Sequence, residues 1–336
     1  MLKRIVFSAA AALFVLSAFF TGCEKWTEPE AKEFLVPEHS EEYKQNIKDY
    51  LNSPHKVMFG WFGSQNAWSG KTSGVKGGSL MGLPDSLDFV SLWLQWGPWN
   101  EAQIADLKEF QASGRRAVLC WRCGSIGDNL TPSEWKGKED EFWGYTRGDW
   151  STYVPAAEKY AMAIVDSCRR HGFDGFDYDC EDSGTLFSPQ HPEVVGAFLM
   201  KLYEEFEKDG RWLVIDIPEP TWSGYTTIPD DALLAAKYIA WQTYQREDCT
   251  SVANSILNIR PTVGAEVLKK SIFTCSFEQA NYEVHWNGLV NWGATTDIEF
   301  GGCGVYHIEM DFASSAGQDY PRIRSAISKL NRPVVE

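Results

Sequence analysis

Beyond its first two dozen residues, the chain has no apolar run approaching the ~20 residues a bilayer-spanning helix needs, and it contains no internal repeat or low-complexity tract. Histidine is scarce, at six in 336 residues, and no HExxH pair is present to hold a zinc ion. There is no G-x-S-x-G nucleophile elbow. The GKTS at 70–73 is not a phosphate-binding loop, because Gln65 stands where the upstream glycine belongs. Basic residues are in the minority, 31 Lys and Arg against 46 Asp and Glu, and a net charge of −15 makes nucleic acid a poor partner. Cysteines are few and scattered. Setting Cys23 aside, seven remain, an odd number spread over a long chain, which is no disulfide framework. Cys120 and Cys123 form a lone CxxC without the second pair or nearby histidines that such metal sites need. Neither a metal nor a cofactor is expected.

What is present begins at the N-terminus. Residues 1–22 (MLKRIVFSAAAALFVLSAFFTG) read as a basic start, an apolar run and small residues, the layout of a secretory signal peptide. The residues before Cys23 resemble a bacterial lipobox, with Phe20 in place of the usual Leu. The expectation is an exported protein with a lipid on Cys23, anchored to a bacterial membrane at the outer membrane, cell surface or periplasmic face. Plain secretion with a free cysteine is the alternative. Residues 23–54 read as an acidic spacer followed by a short docking helix, since Tyr43, Ile47, Tyr50 and Leu51 recur at helical spacing. Residues 55–336 then form one domain. Fifteen tryptophans stand out in the chain, all but Trp26 in that domain, flat rings suited to sugars as well as to a core.

Eight apolar strand-like runs follow one another in that domain: 55–62, 87–96, 115–122, 172–179, 211–218, 238–244, 270–277 and 302–310. Helix-like segments lie between several of them, and three of these end at a glycine suited to helix termination. Strands apolar on both faces, alternating with helices, indicate a parallel sheet covered by helices. Eight such units predict an α/β fold closed into a (β/α)8 TIM barrel, with an open doubly wound sheet as the alternative.

The fourth run, HGFDGFDYDCED at 171–182, breaks the apolar rule. Strand side chains alternate in direction, so Asp177, Asp179 and Glu181 share one face while Phe176, Tyr178 and Cys180 share the other. A solvated charge run does not fit alternate positions of a central strand. A calcium loop does not fit either: counted from Asp177, position six is Asp182 instead of Gly and position twelve is Ser188 instead of Glu. Acid catalysis fits. Crowded carboxylates cannot all ionise, so at least one holds its proton near neutral pH. Glycoside hydrolysis uses such an acid, but an ordinary retaining enzyme also needs a carboxylate nucleophile on the opposite side of the anomeric carbon. Asp179 and Glu181 project together from one strand, so the nucleophile has to come from elsewhere.

Asp174, Gly175, Asp177, Asp179 and Glu181 match every fixed position of DGxDxDxE, and on these residues the chain resembles the family 18 glycoside hydrolases. The resemblance implies a (β/α)8 barrel in which the substrate's own 2-acetamido group is the nucleophile, giving an oxazolinium intermediate and net retention. By the same resemblance Glu181 is the general acid and later the base. Asp179 orients the acetamido N–H, Asp177 shares a proton with Asp179, and Asp174 and Gly175 are structural. The sixth run, IAWQTYQ, is similar to the Gln-x-Tyr of the family's endo-β-N-acetylglucosaminidases, where chitinases more often carry Met-x-Tyr-Asp. This implies that Tyr244 donates to the acetamido carbonyl and that Gln242 contacts the same sugar.

Two stretches depart from the family pattern. The third run reads VLCWRCGSIG instead of ending in S-x-G-G. Aligned on Gly304, the eighth puts Ile308 where a tryptophan usually lies under the scissile sugar. Tyr306 is the expected replacement, with Glu309 or Asp311 lining the rim. The expected partners are glycans or glycoproteins containing N-acetylglucosamine, and the expected activity is endo-β-N-acetylglucosaminidase. A chitinase and a non-hydrolytic glycan-binding lipoprotein are the alternatives.

Overall fold

In the computed structural model, residues 39–63, 68–70, 76–93, 97–222, 224–312 and 319–331 are described. The expected signal peptide, Cys23 and most of the spacer lie outside them. Eight parallel strands close in sequence order: β1 (Val57–Phe62), β2 (Phe89–Trp93), β3 (Arg116–Arg122), β4 (Gly175–Asp179), β5 (Trp212–Ile217), β6 (Tyr238–Trp241), β7 (Ser271–Ser276) and β8 (Gly302–Tyr306). The ring is sealed by β1 against β8, from Val57↔Gly302 to Trp61↔Tyr306. This is the (β/α)8 barrel, and each expected run contains one of its strands.

The longer helices outside the barrel follow from local signals. One runs Glu101–Ala112 behind a reciprocal cap, in which Asn100 and Gln103 each accept from the other's backbone N–H at 2.9 Å. The helices Tyr153–His171 and Pro192–Glu207 flank β4 and bury Tyr160, Ile164, Phe198 and Leu202 against it. Gly172 ends the first of these in the left-handed region, with φ of 79°. The barrel's last helix is Pro321–Leu330. Among the described residues, β1 and β2 are joined by short 3-10 turns without an α-helix. The helix Glu41–Asn52 forms where the spacing predicts it, capped by Ser40, and reaches the barrel through Tyr43 to Asp85 and through Tyr50 to Asn331.

Two apolar layers result. Phe176, Tyr178 and Cys180 turn outward into the helix layer. A smaller cluster of Phe59, Trp61, Phe89, Val118, Cys120 and Val214 fills the axis. Gly175 is required where β4 begins, because a Cβ there would lie 2.0 Å from the Trp212 carbonyl oxygen, at a φ of +151° that side chains avoid. Asp174 accepts from the Ala117 N–H at 2.9 Å and the Gln111 amide at 2.8 Å, tying the foot of β4 to β3.

Candidate active site

Strand alternation sends Asp177 and Asp179 to the axis, where both are buried. The ladder continues one residue past β4, with the Cys180 N–H donating to the Asp216 carbonyl at 2.8 Å. Glu181 therefore keeps the alternation and stands above Asp179 at the carboxyl end of the barrel, the end where barrel enzymes carry their chemistry. A third acid joins from β5. Asp216 is the register partner of Asp179 and equally buried. Cys120 on β3, Asp177 and Asp216 each place one side-chain atom within 4.8 Å of the others.

These acids have few donors. Asp177 is the best supplied: the Trp61 indole donates to its Oδ2 at 3.0 Å and the Ser91 hydroxyl at 2.7 Å. One oxygen each of Asp177, Asp179 and Asp216 is buried without a partner. Two full charges about 5 Å apart repel by roughly 3 kcal/mol even at an effective dielectric near 20, so the group cannot ionise completely. Burial raises Asp177 to about 6, offset in part by Ser91, Cys120 and Trp61. Burial, then Glu181 and Asp177, push Asp179 well above the ordinary carboxylate range. Asp216 is pushed well up by burial, then by Asp179 and Asp177. Asp177 is thus the acid best able to carry the charge.

The mouth is built from the ends of five other strands, β1, β2, β3, β6 and β8. Gln242 donates to Glu181 Oε1 at 2.6 Å. Arg122, the last residue of β3, lies 3.4 Å from Glu181 Oε2 and 3.1 Å from Asp182. Tyr244 and Tyr306 stack with ring centres 5.8 Å apart. Trp61 meets both edge-on at 6.4 and 6.2 Å, and Trp93 meets Tyr306 at 6.4 Å. Burial, followed by Asp216 and Asp179, holds the Tyr244 phenol well above its usual value, so it remains a donor at neutral pH. Beside Gln242 and Tyr244 opens a cavity of about 460 Å³, walled also by Glu219, Trp222 and Gln279. A second, of about 440 Å³, lies in the loops after β3 and β4, lined by Asp128, Asn129, Tyr145, Arg147 and Thr185.

The family model for glycoside hydrolase family 18, BT1044-like, matches residues 22–329. The chain belongs to glycoside hydrolase family 18. Among solved structures, a selenomethionine glutamate-to-glutamine variant of BT1044 is 30% identical, with a TM-score of 0.72 over 87% of this chain and 92% of that one. An endo-β-N-acetylglucosaminidase from Cordyceps militaris is 17% identical, with a TM-score of 0.61 over 87% and 97%. A family 18 chitinase from Pseudoalteromonas aurantia is 12% identical, with a TM-score of 0.56 over 82% and 100%. These last two likenesses concern the fold. No curated protein matches the chain.

Within family 18 the chain's departures now have places. Ile308 is fully buried and lies over β1, where a Cβ on Gly60 would come within 2.6 Å of it. Ile308 is therefore a packing residue, and the rings gathered beside the acids are those of Tyr306, Tyr244, Trp61 and Trp93. Glu309 stands near the rim, accepting from the Gly63 N–H at 2.8 Å and paired with His307 at 2.6 Å. Asp311 does not line the rim. It is buried, accepting from the Ile323 N–H at 2.9 Å and from Arg322 at 3.2 Å, because it caps the start of the last helix. Cys120 and Cys123 share no site: three residues apart on a strand they face opposite ways, Cys120 to the acids and Cys123 to Tyr160 at 3.3 Å.

Sequence reasoning missed Arg122 and Asp216. The signal for Asp216 was available in WLVIDIP, a lone acid in an apolar strand. For Arg122 it was a cation at the carboxyl end of a strand.

Proposed function

We propose that this family 18 member is an endo-β-N-acetylglucosaminidase, cleaving between the two core N-acetylglucosamines of N-glycans with retention. The observation that carries the reading is Glu181 at the mouth, held by Gln242 and flanked by Tyr244, directly above the buried Asp179. The acids below Glu181 come from β4 and β5. The wall contributed by β1, β2 and β8 is aromatic, and Glu309 on that side is committed to Gly63 and His307. The nucleophile is the substrate's acetamido oxygen, as the family 18 signature carried by Asp177, Asp179 and Glu181 implies.

In the first step Glu181 gives its proton to the glycosidic oxygen as the C1–O bond breaks, and the acetamido carbonyl oxygen bonds to C1. Asp179 accepts the acetamido N–H and offsets the positive charge of the oxazolinium. Tyr244 orients the carbonyl from the other side. Water then adds to C1 as the bond from C1 to the acetamido oxygen breaks, and the water's proton passes to the Glu181 carboxylate, which restores both the acetamido group and the enzyme. Gln-x-Tyr at 242–244 favours N-glycans over chitin within this chemistry. The two cavities, one in the loops after β3 and β4 and one beside Gln242 and Tyr244, are each within the usual range for a ligand pocket and leave room for a branched substrate.

The same proposal includes export and a lipid on Cys23, supported by the basic, apolar and small-residue order of residues 1–23. The test is mass spectrometry of high-mannose and complex glycoproteins and of chitin oligosaccharides after incubation. Release of glycans one N-acetylglucosamine short, lost in Glu181→Gln by 10²- to 10⁴-fold, is the expected result. Cleavage of chitin oligosaccharides alone points to the chitinase, and binding without any mass change to a capture protein. Full activity in Glu181→Gln refutes the assignment of the acid.

A further inference from the structure

Other buried acids show what a structural carboxylate looks like in this fold. Asp106 takes four donors, from Trp68, Ser79 and the Leu80 and Met81 amides, at 2.6–3.1 Å. Asp311 caps a helix and Asp88 pairs with His55 and the Met58 N–H. Asp216 differs from all of them. It caps nothing, no cation faces it, and one of its oxygens is buried without a partner. Its neighbours are the reacting groups: Asp177 and Asp179 on β4, Glu181 above them, Cys120 on β3, and Gln242 and Tyr244 beyond β6. Gln242, which donates to Glu181 Oε1 at 2.6 Å, follows β6, the strand that pairs with β5 beside Asp216.

We propose that Asp216 is a third proton-holding acid of the catalytic centre, a positioning residue that keeps a neutral carboxyl beside Asp179. The inference rests on the roles given above to Glu181 and Asp179, and not on which glycan is cleaved. In the free enzyme two protons serve three carboxyls. Asp177, with Trp61 and Ser91 donating to it, carries the charge, while Asp179 and Asp216 are neutral. Their O–H groups supply the donors that the orphaned oxygens otherwise lack. As positive charge develops on the substrate, the Asp179 proton passes to Asp177, leaving Asp179 anionic with no change in the proton count. Asp216 stays neutral and donates to the new anion. Burial and the two neighbouring aspartates, which push Asp216 well above the ordinary carboxylate range, agree with this assignment.

The test uses the full exported chain with aspartate carboxyl carbons labelled, observed by ¹³C NMR without substrate. Two neutral aspartate carboxyls are expected at pH 7 in the parent and one in Asp216→Asn. If the signal lost in Asp216→Asn instead titrates with the surface acids near pH 4, the proposal fails, whatever the enzyme cleaves. Kinetics on any cleaved substrate give a second reading. Asp216→Asn should lower kcat about 10-fold with KM within twofold, and should move the alkaline limb of the pH profile upward, since the ionising group has gone. Asp216→Ala should lose about 100-fold. Equal losses in both variants with unmoved limbs would mean a packing role and overturn the proposal.

Discussion

Asp177→Asn should make the protein more stable and the enzyme worse, and the size of the first effect can be worked from the site. Asp177 is raised from 3.8 to about 6 in the folded state, chiefly by burial. A folded value above the unfolded one means that the native state holds its proton longer, so this group's contribution is fully present below about pH 4 and is lost as pH rises through about 6. That shift corresponds to about 3 kcal/mol. Asparagine has no such penalty. Its oxygen still accepts from Trp61 and Ser91, and its amide nitrogen takes the place of the unpartnered Asp177 Oδ1. The variant should therefore melt roughly 5 °C or more above the parent at pH 7 and level with it near pH 4, while kcat falls on the order of 10²-fold because the acceptor of the Asp179 proton is gone. Scanning calorimetry from pH 4 to 8 with parallel kinetics checks both. A variant less stable than the parent at pH 7, or a difference that does not change with pH, refutes the account of the buried acids.

Two further outcomes follow from the geometry and one from the N-terminal sequence. Tyr244→Phe should lower kcat by about 10- to 100-fold at unchanged melting temperature, since it removes a donor and keeps the ring stacked on Tyr306; an unchanged kcat would remove Tyr244 from the mechanism. His55 donates through both ring nitrogens, to Ser53 and to Asp88 at 2.7 Å each, and although burial lowers its pKa, Asp88 and Ser53 raise it overall. Its charged form stabilises the fold below about pH 6.5, a contribution lost as pH rises through the raised value, so His55→Gln should cost more at pH 5.5 than at 8.5. Cys23→Ala should abolish incorporation of labelled fatty acid in a bacterial host, and persistence of the label would place the lipid elsewhere.

How much could be read beforehand depended on the range of the interaction. Alternation within 171–182 predicted which acids share a face, because strand geometry is local, and the barrel followed from eight apolar runs. Glu181 keeps its direction two residues beyond the end of β4 because the Cys180 N–H extends the ladder. Contacts across the barrel were not legible. Asp311 looked like a rim residue by its place after β8, and only the approach of the last helix makes it a cap. Arg122 and Asp216 acquire meaning from neighbours far away in sequence, on β4 and beyond β6. The burial of Ile308 over β1 depends on β1 carrying Gly60.

The closing seam of the barrel has a consequence for how the chain folds. Val57 pairs with Gly302, and Asn331 ties back to both backbone groups of Lys56 at 2.9 Å. The first strand thus completes its hydrogen bonding only with the last, across nearly the whole domain, and contacts so distant in sequence form late. Until synthesis reaches β8, the nascent polypeptide has two unpaired edges and no finished ring. Chaperone binding should therefore be strongest for chains truncated just before residue 302, and the final thirty-odd residues act as the latch of the whole molecule.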